Sequence, residues 1–184
     1  DPGALDLIFQ HAPTLIATHC ESGPVMLQNE KEILRAKDVL TIEDHPRVRD
    51  VEACFAASEY AVGLAKKHGS QLHVLHVTTA KELDLFSPGP IDDKNITAEA
   101  CVHHLWFTDD DYPRLGNFIK CNPAIKSRQD RDALIEALRT GRIDIIAPDH
   151  PPHKLAEMEE QNQKPPPVIQ LFKNPIKILK KTCK

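Results

Sequence analysis

Short apolar runs rich in β-branched residues alternate with helical patterns along the chain. Strands that alternate with helices are typical of repeated β–α units around a parallel sheet. The pattern therefore predicts an α/β protein. The predicted strands are Thr14–Cys20, Gln71–Val77, Ile96–Val102 and Ile143–Pro148.

The clearest helical pattern lies between the first two predicted strands. It begins near Pro46 or Val48 and ends before Gly69. Its apolar residues recur at steps of three and four, which predicts one face packed against the sheet. A second helix is predicted from Ser127, a serine suited to cap a helix, to about Thr140.

The composition is that of a folded protein with one sizeable core: 184 residues, of which 41% are hydrophobic and 27% charged. No apolar run approaches the roughly 20 residues of a membrane span, and the first residues lack a secretory signal pattern. We therefore expect a soluble, cytoplasmic protein.

The cysteines form no CxxC pair, which predicts reduced and mostly buried thiols. They are Cys20, Cys54, Cys101, Cys121 and Cys183.

Charge divides the chain into two parts. Residues 1–160 carry 17 basic and 27 acidic side chains, whereas residues 161–184 carry six lysines and no acid. The acidic balance of the first part argues against nucleic-acid binding. We interpret residues 158–184 as a Lys/Pro-rich tail of uncertain structure. A membrane- or nucleic-acid-binding arm is the alternative, but a solvated tail fits its scattered lysines better.

Chemically reactive side chains stand at the ends of three predicted strands: His19, His76 and Asp149. In parallel α/β barrels the loops leaving the strand ends point side chains at one site. A single histidine there is more often a hydrogen-bonded structural group, but two at equivalent ends favour metal ligands. A carboxylate directly after an apolar strand is costly unless it is paired with a cation or caps a turn. These residues therefore predict a metal site, with turn structure as the alternative.

Five segments, taken in order, resemble the dihydroorotases, which are metal-dependent barrels of the amidohydrolase superfamily. The segments are IATHCE, LHVLHVTTAKEL, ITAEACVHHLWF, IKCNPAIKSRQDRDALIEAL and GRIDIIAPDHPPH, between Leu15 and Leu155. The resemblance implies a partial TIM-like (β/α)8 barrel covering about strands five to eight. It assigns residues 1–157 to the C-terminal half of that barrel.

By this resemblance, His19 and His76 look like ligands of the second of two zinc ions. Asp149 looks like a ligand of the first zinc and the catalytic general acid/base. Asn122 and His153 look like residues that bind the substrate carboxylate and ring amide. Without the resemblance, Asn122 is interpreted as a turn residue.

The implied reaction is the interconversion of dihydroorotate and N-carbamoyl-L-aspartate, a step of pyrimidine biosynthesis. The expected partner is this small-molecule substrate, with no nucleic acid and no membrane, and a homodimer is left open. Another cyclic amidohydrolase, allantoinase or dihydropyrimidinase, is the nearest alternative, and Asn122 with His153 favours the anionic dihydroorotate. A non-catalytic scaffold for a partner such as a carbamoyltransferase is the alternative from another class.

The chain also departs from the family pattern. It contains no HxH pair, its bridging ligand cannot be placed, and Pro148 and Pro151 stand where Thr and Ala are expected. A complete barrel needs about 250 residues. We therefore expect a fragment of a longer protein, with part of the binuclear zinc site and negligible turnover.

Two further segments receive no catalytic role. His103 and His104 are expected to be structural. Lys81 and Glu82 are expected to begin a short surface helix.

Overall fold

The computed structural model describes residues 1–149. Four parallel strands form a sheet in the order β1-β2-β3-β4. They are β1 Ile16–Thr18, β2 Leu72–Val74, β3 Ile96–Cys101 and β4 Ile145–Ala147. Each lies within one of the four predicted runs, so the α/β prediction is confirmed. The Lys/Pro-rich tail, and residues 150–157 of the predicted barrel segment, lie outside the described residues.

Six α-helices connect or flank these strands within residues 1–149. They are α1 Pro2–His11, α2 Gly23–Ala36, α3 His45–Val48, α4 Val51–His68, α5 Tyr112–Leu115 and α6 Arg128–Arg139. Short 3-10 helices occupy Ile42–Asp44, Lys81–Leu85, Ile91–Asp93, Asp109–Asp111 and Gly116–Ile119. In this part of the chain no helix combines the length and apolar character that a membrane span requires.

The start of α4 differs from the prediction. Arg49 leaves the helical conformation, and the Asp50 carboxylate then accepts a hydrogen bond from the backbone N–H of Ala53 at 2.8 Å. This cap satisfies an amide that the first helical turn leaves unpaired, so a new helix starts at Val51. Gly69 ends α4 at φ 68, in the left-handed region that favours glycine, as predicted. The Ser127 cap of α6 is also confirmed.

The main core lies between the sheet and helices α4 and α6. Small and branched side chains let these layers approach closely; the core includes Val62, Ala65, Leu72, Val74, Ala98, Ala100, Leu134 and Ala137. A second cluster lies beneath the loop that follows β3 and comprises Phe107, Tyr112, Ile119, Cys121 and Ile125. The second cluster anchors the segment that carries Asn122 close to the end of β3.

Glu82 is a correction to the sequence analysis, since it is not a surface residue. It is only 2% exposed, and its carboxylate accepts hydrogen bonds from the hydroxyls of Ser58 at 2.6 Å and Thr79 at 2.9 Å. Burial raises the pKa of Glu82 despite these bonds. The carboxylate therefore joins α4 to the loop that follows β2, the same loop that carries His76. The helical pattern could not reveal this inward orientation because the partners come from distant segments.

Candidate metal centre

His19 and His76 meet at the ends of neighbouring parallel strands. Nδ1 of His19 lies 3.0 Å from Nε2 of His76, and the ring centroids are 4.7 Å apart. Two imidazole nitrogens bound to one tetrahedral zinc lie about 3.3 Å apart, given Zn–N bonds of about 2.0–2.1 Å. The separation therefore suits either a hydrogen bond between the rings or a cation bound by both. We call these two residues the rim histidines.

A buried carboxylate orients His19. Glu21 Oε2 lies 3.0 Å from His19 Nε2 and also pairs with the guanidinium of Arg49. Burial by itself would raise the pKa of Glu21, but the hydrogen bond from His19 and the charge of Arg49 hold it below its usual value. An N–H at Nε2 that donates to Glu21 leaves the Nδ1 lone pair free, as in metal-ligating histidines with a carboxylate behind them.

The backbone of His76 is held in an uncommon conformation. Its φ is 38°, in the left-handed region, and its N–H donates to Glu99 Oε1 at 3.3 Å. Nδ1 is buried without a hydrogen-bond partner in the described part of the chain. Burial and the neighbouring charge of His19 lower the pKa of His76 to about 4. Non-glycine residues at positive φ cluster at functional sites, where surrounding contacts hold them in place.

His73, which lies on β2 three residues before His76, is buried. Its ring bonds Thr97 Oγ1 at 2.8 Å and Glu99 Oε2 at 3.1 Å. Glu99 therefore bridges the ring of His73 and the backbone of His76. Neither Glu21 nor Glu99 was predicted from the sequence to have a role. The position of Glu21 beside His19 in the HCE motif, and the alternation of side chains along β3 for Glu99, are the signals that could have suggested one.

Asp149 follows β4 and shares the unusual backbone of His76, with a φ of 38°. Although the residue is exposed, surrounding protein atoms desolvate its carboxyl enough to raise its pKa, and the charge of His19 opposes that shift. Burial raises the pKa of the Cys101 thiol, and the charge of Asp149 adds to that increase. Asp149 thus lies within electrostatic reach of both β1 and β3. His153 and its loop lie outside the described residues.

Asn122 lies in a bend after β3 and is half-buried. Its Oδ1 atom is buried and has no hydrogen-bond partner in the described structure. Within residues 1–149, no hydrogen bond or ring contact joins Asn122 to His19, His76 or Asp149. Its amide is therefore available to a ligand, and its role as a substrate residue stays a prediction.

A second group of side chains of the kinds that bind metal ions lies at the end of β3 and in the turn that follows. One candidate ligand atom from each of Cys101, His103 and His104 lies within 4.8 Å of the others, and all three residues are buried. Burial, with the charge of His76, lowers the pKa of His103 to about 3, and burial lowers that of His104 well below its usual range. We call these residues the buried Cys–His group. The C-x-H-H spacing was visible in the sequence, but the histidines were expected to be structural.

No protein-family model matches the chain. It is 41% identical over 98 residues to dihydroorotase of Lactobacillus helveticus, covering 53% of this chain and 23% of that protein. It is 33% identical over 151 residues to dihydroorotase of Staphylococcus epidermidis, covering 82% of this chain and 35% of that protein. The chain therefore spans between about a quarter and a third of the length of these relatives.

Among solved structures, the chain is similar to L-hydantoinase (dihydropyrimidinase) from Arthrobacter aurescens, with a TM-score of 0.78 and 26% identity. That match covers 86% of this chain and 36% of the hydantoinase. The sheet and its helices thus correspond to part of a hydantoinase TIM barrel. Over part of its length, this chain is related to the dihydroorotases and other cyclic amidohydrolases.

Proposed function

We propose that this chain contributes part of the metal site of a dihydroorotase-like zinc hydrolase. The observation that carries the proposal is the 3.0 Å contact between ring nitrogens of His19 and His76 at the ends of adjacent parallel strands. Support comes also from the positive φ shared by His76 and Asp149. Imidazole nitrogens with a carboxylate form a donor set that suits zinc.

His19 and His76 would hold one zinc ion at the rim, and Asp149 would be a ligand of the other. When bound, such a cation polarises an amide carbonyl and makes water acidic enough to act as a nucleophile near neutral pH. Glu21 keeps the His19 ring oriented through its 3.0 Å contact with Nε2. Glu99 holds the backbone of His76 from the other side.

Asp149 acts as the proton carrier in this proposal. An aspartate suits this role because its carboxylate can accept a proton and release it again within one turnover. The ionised carboxylate takes a proton from the attacking water. The protonated carboxyl then gives that proton to the ring nitrogen as the cyclic amide opens, which yields N-carbamoyl-L-aspartate from dihydroorotate.

Dihydroorotate is the proposed substrate because the resemblance assigns substrate binding to both Asn122 and His153. Asn122 has an unpaired buried amide oxygen, which can accept a ring N–H. His153 is proposed to act with Asn122 in holding the substrate carboxylate and ring amide, as the resemblance implies. Dihydropyrimidinase is the second candidate, since a solved structure similar to this chain carries that name.

Metal titration tests the proposed site. Zinc binding to the metal-free 184-residue chain is measured by calorimetry for the unmodified protein, for His76→Gln and for His11→Gln. His11 is an exposed residue at the end of α1 and serves as the matched control. We expect His76→Gln to weaken the rim site on the order of 100-fold, since it removes a direct ligand, and His11→Gln to leave it unchanged. Equal affinities in all three proteins would overturn the proposal.

Substrate comparison tests the proposed activity. The zinc-loaded chain is given dihydroorotate, dihydrouracil and allantoin, and both binding and hydrolysis are measured. We expect dihydroorotate to bind best and turnover to be negligible, because the chain contains no HxH pair to complete a binuclear site. Preferential binding of dihydrouracil would favour dihydropyrimidinase, and turnover at ordinary enzyme rates would contradict the expectation of a partial site.

A further inference from the structure

We propose that Cys101, His103 and His104 bind a thiophilic divalent cation, such as Zn²⁺, at a position separate from the rim histidines. Their candidate ligand atoms lie within 4.8 Å of one another. A tetrahedral zinc with one thiolate and imidazole ligands brings sulfur and nitrogen to about 3.5 Å. Small side-chain rotations therefore suffice to close the group around an ion.

The backbone folds these three side chains onto one another. After β3 the chain turns tightly, with the N–H groups of His104 and Leu105 both bonded to the carbonyl of Cys101, at 3.0 and 3.2 Å. The N–H of Phe107 bonds the carbonyl of His103 at 3.0 Å. The turn is thus fixed by its own hydrogen bonds, and the ligand set is preorganised before any ion arrives.

Unpaired ring nitrogens point to a missing ligand. His103 is 1% exposed, and neither of its ring nitrogens has a hydrogen-bond partner in the described residues. His104 Nδ1 is also buried and unpaired. Leaving a buried polar group unsatisfied costs about 1–3 kcal/mol, so three such nitrogens in one turn require an explanation. A bound cation satisfies one nitrogen of each ring.

The other nitrogen of His104 already has the partner expected of a metal ligand. Its Nε2 lies 3.0 Å from the carbonyl oxygen of Pro123. A carbonyl can only accept, so the proton is on Nε2 and the Nδ1 lone pair is free. Metal-ligating histidines usually donate their second N–H to a carbonyl or carboxylate in this way, which fixes the tautomer and the ring orientation.

The donor types select the class of ion. A thiolate with two imidazoles favours zinc and similar transition metals over magnesium or calcium, which prefer oxygen ligands. Three protein ligands leave a fourth tetrahedral position for water or another ligand. The rim residues His19, His76 and Asp149 offer only nitrogen and oxygen. A metal–sulfur bond therefore distinguishes the two sites.

Cobalt(II) provides the test because a cobalt–thiolate bond gives a charge-transfer band in the near ultraviolet. The metal-free 184-residue chain is titrated with Co²⁺, and zinc K-edge absorption is recorded on the zinc-loaded protein. We expect the charge-transfer band and a zinc–sulfur distance of about 2.3 Å. Cobalt binding without either sulfur signature would overturn the proposal, even if the rim histidines bind metal as proposed above.

Substitutions assign the sulfur. Cys101→Ser preserves side-chain size and should abolish the band, and His104→Gln should lower the cobalt affinity that the band reports on the order of 100-fold. Cys121→Ser is the matched control, because its thiol lies 3.5 Å from His104 Nε2 and is the nearest competing sulfur. Retention of the band in Cys121→Ser supports the proposal. Its loss there, or its persistence in Cys101→Ser, contradicts it.

Discussion

The rim histidines and the buried Cys–His group use the same imidazole chemistry in opposite surroundings. The side chain of His19 is 45% exposed and rests on the buried carboxylate of Glu21. His103, by contrast, is 1% exposed, and neither of its ring nitrogens has a hydrogen-bond partner among the described residues. Carboxylate support and access to solvent suit a cation that handles water and substrate. A buried turn that offers a thiol suits a cation that binds sulfur strongly and does not exchange with solvent.

Burial and the second hydrogen-bond partner of the ring, more than residue type, decide what a histidine can do. Three histidines differ in their second partners: a ring nitrogen of His19 contacts a carboxylate, one of His104 donates to a carbonyl, and those of His103 have no partner among the described residues. Substitutions that change one region without the other therefore test the distinction.

The largest expected effect comes from the carboxylate beneath the rim. Glu21→Gln removes the partner of Arg49 and should lower the free energy of unfolding by about 3 kcal/mol, because it leaves a partly buried cation unpaired. It should also weaken zinc binding at the rim about 10–100-fold. Urea denaturation of the metal-free protein and zinc titration provide the measurements. Glu43→Gln, at an exposed acidic residue, is the control. A protein as stable as this control would contradict the importance of the pair.

Zinc-linked stability is the next effect in size. One occupied site adds about 2.7 kcal/mol to the free energy of unfolding when free zinc is 100 times its Kd. In Cys101→Ser, zinc should no longer stabilise the fold through the buried Cys–His group, but it should still do so through the rim histidines. Unfolding is followed in zinc-buffered solution, with Cys54→Ala as a buried-thiol control on α4. An unchanged zinc dependence in Cys101→Ser would remove the distinction between the two regions.

Acid sensitivity offers a smaller and independent effect near the buried Cys–His group. His45 Nε2 donates to the carbonyl of Cys121 at 2.8 Å, and burial lowers the pKa of His45 to about 4. Between pH 6.5 and about 4 the unfolded chain binds a proton at this residue that the folded protein does not, so stability falls as the pH falls.

The variant His45→Gln isolates this contribution to acid sensitivity. Its unfolding free energy should depend less steeply on pH over that interval, by at most about 1.4 kcal/mol per pH unit. Above pH 6.5 the titration contributes no slope in either protein. Denaturation curves of the metal-free proteins at several pH values provide the measurement, and parallel pH profiles would show that His45 does not titrate differently on unfolding.

The smallest expected effect on stability comes from the cap of α4, whose loss should not change metal binding at either region. Asp50→Ala removes the cap of α4 and should cost about 1 kcal/mol of stability, whereas Asp50→Asn should retain most of it. Zinc affinity at the rim histidines and the cobalt–sulfur band should be unchanged in both variants. A selective loss of metal binding at one region in Asp50→Ala would show that α4 positions that region directly.

Much of the fold is predictable from the sequence because its cues are local. The four β-branched runs contain the four strands, and the Ser127 cap and Gly69 mark helix ends by their own backbone chemistry. The start of α4 was placed too early because the apolar pattern continues across the break at Arg49. Glu82 was misjudged because its partners, Ser58 and Thr79, come from segments that only the fold brings together.

The position of His19, His76 and Asp149 at strand ends follows from strand periodicity and chain order, which are local properties of the sequence. Which of these residues meet, and which donor atoms are buried away from water, depends on the three-dimensional fold. Contact between His19 and His76 depends on the pairing of β1 with β2, and burial of Cys101 and His103 depends on the turn packed beneath the loop after β3. Both are long-range consequences of strand register and core packing, which no local pattern encodes.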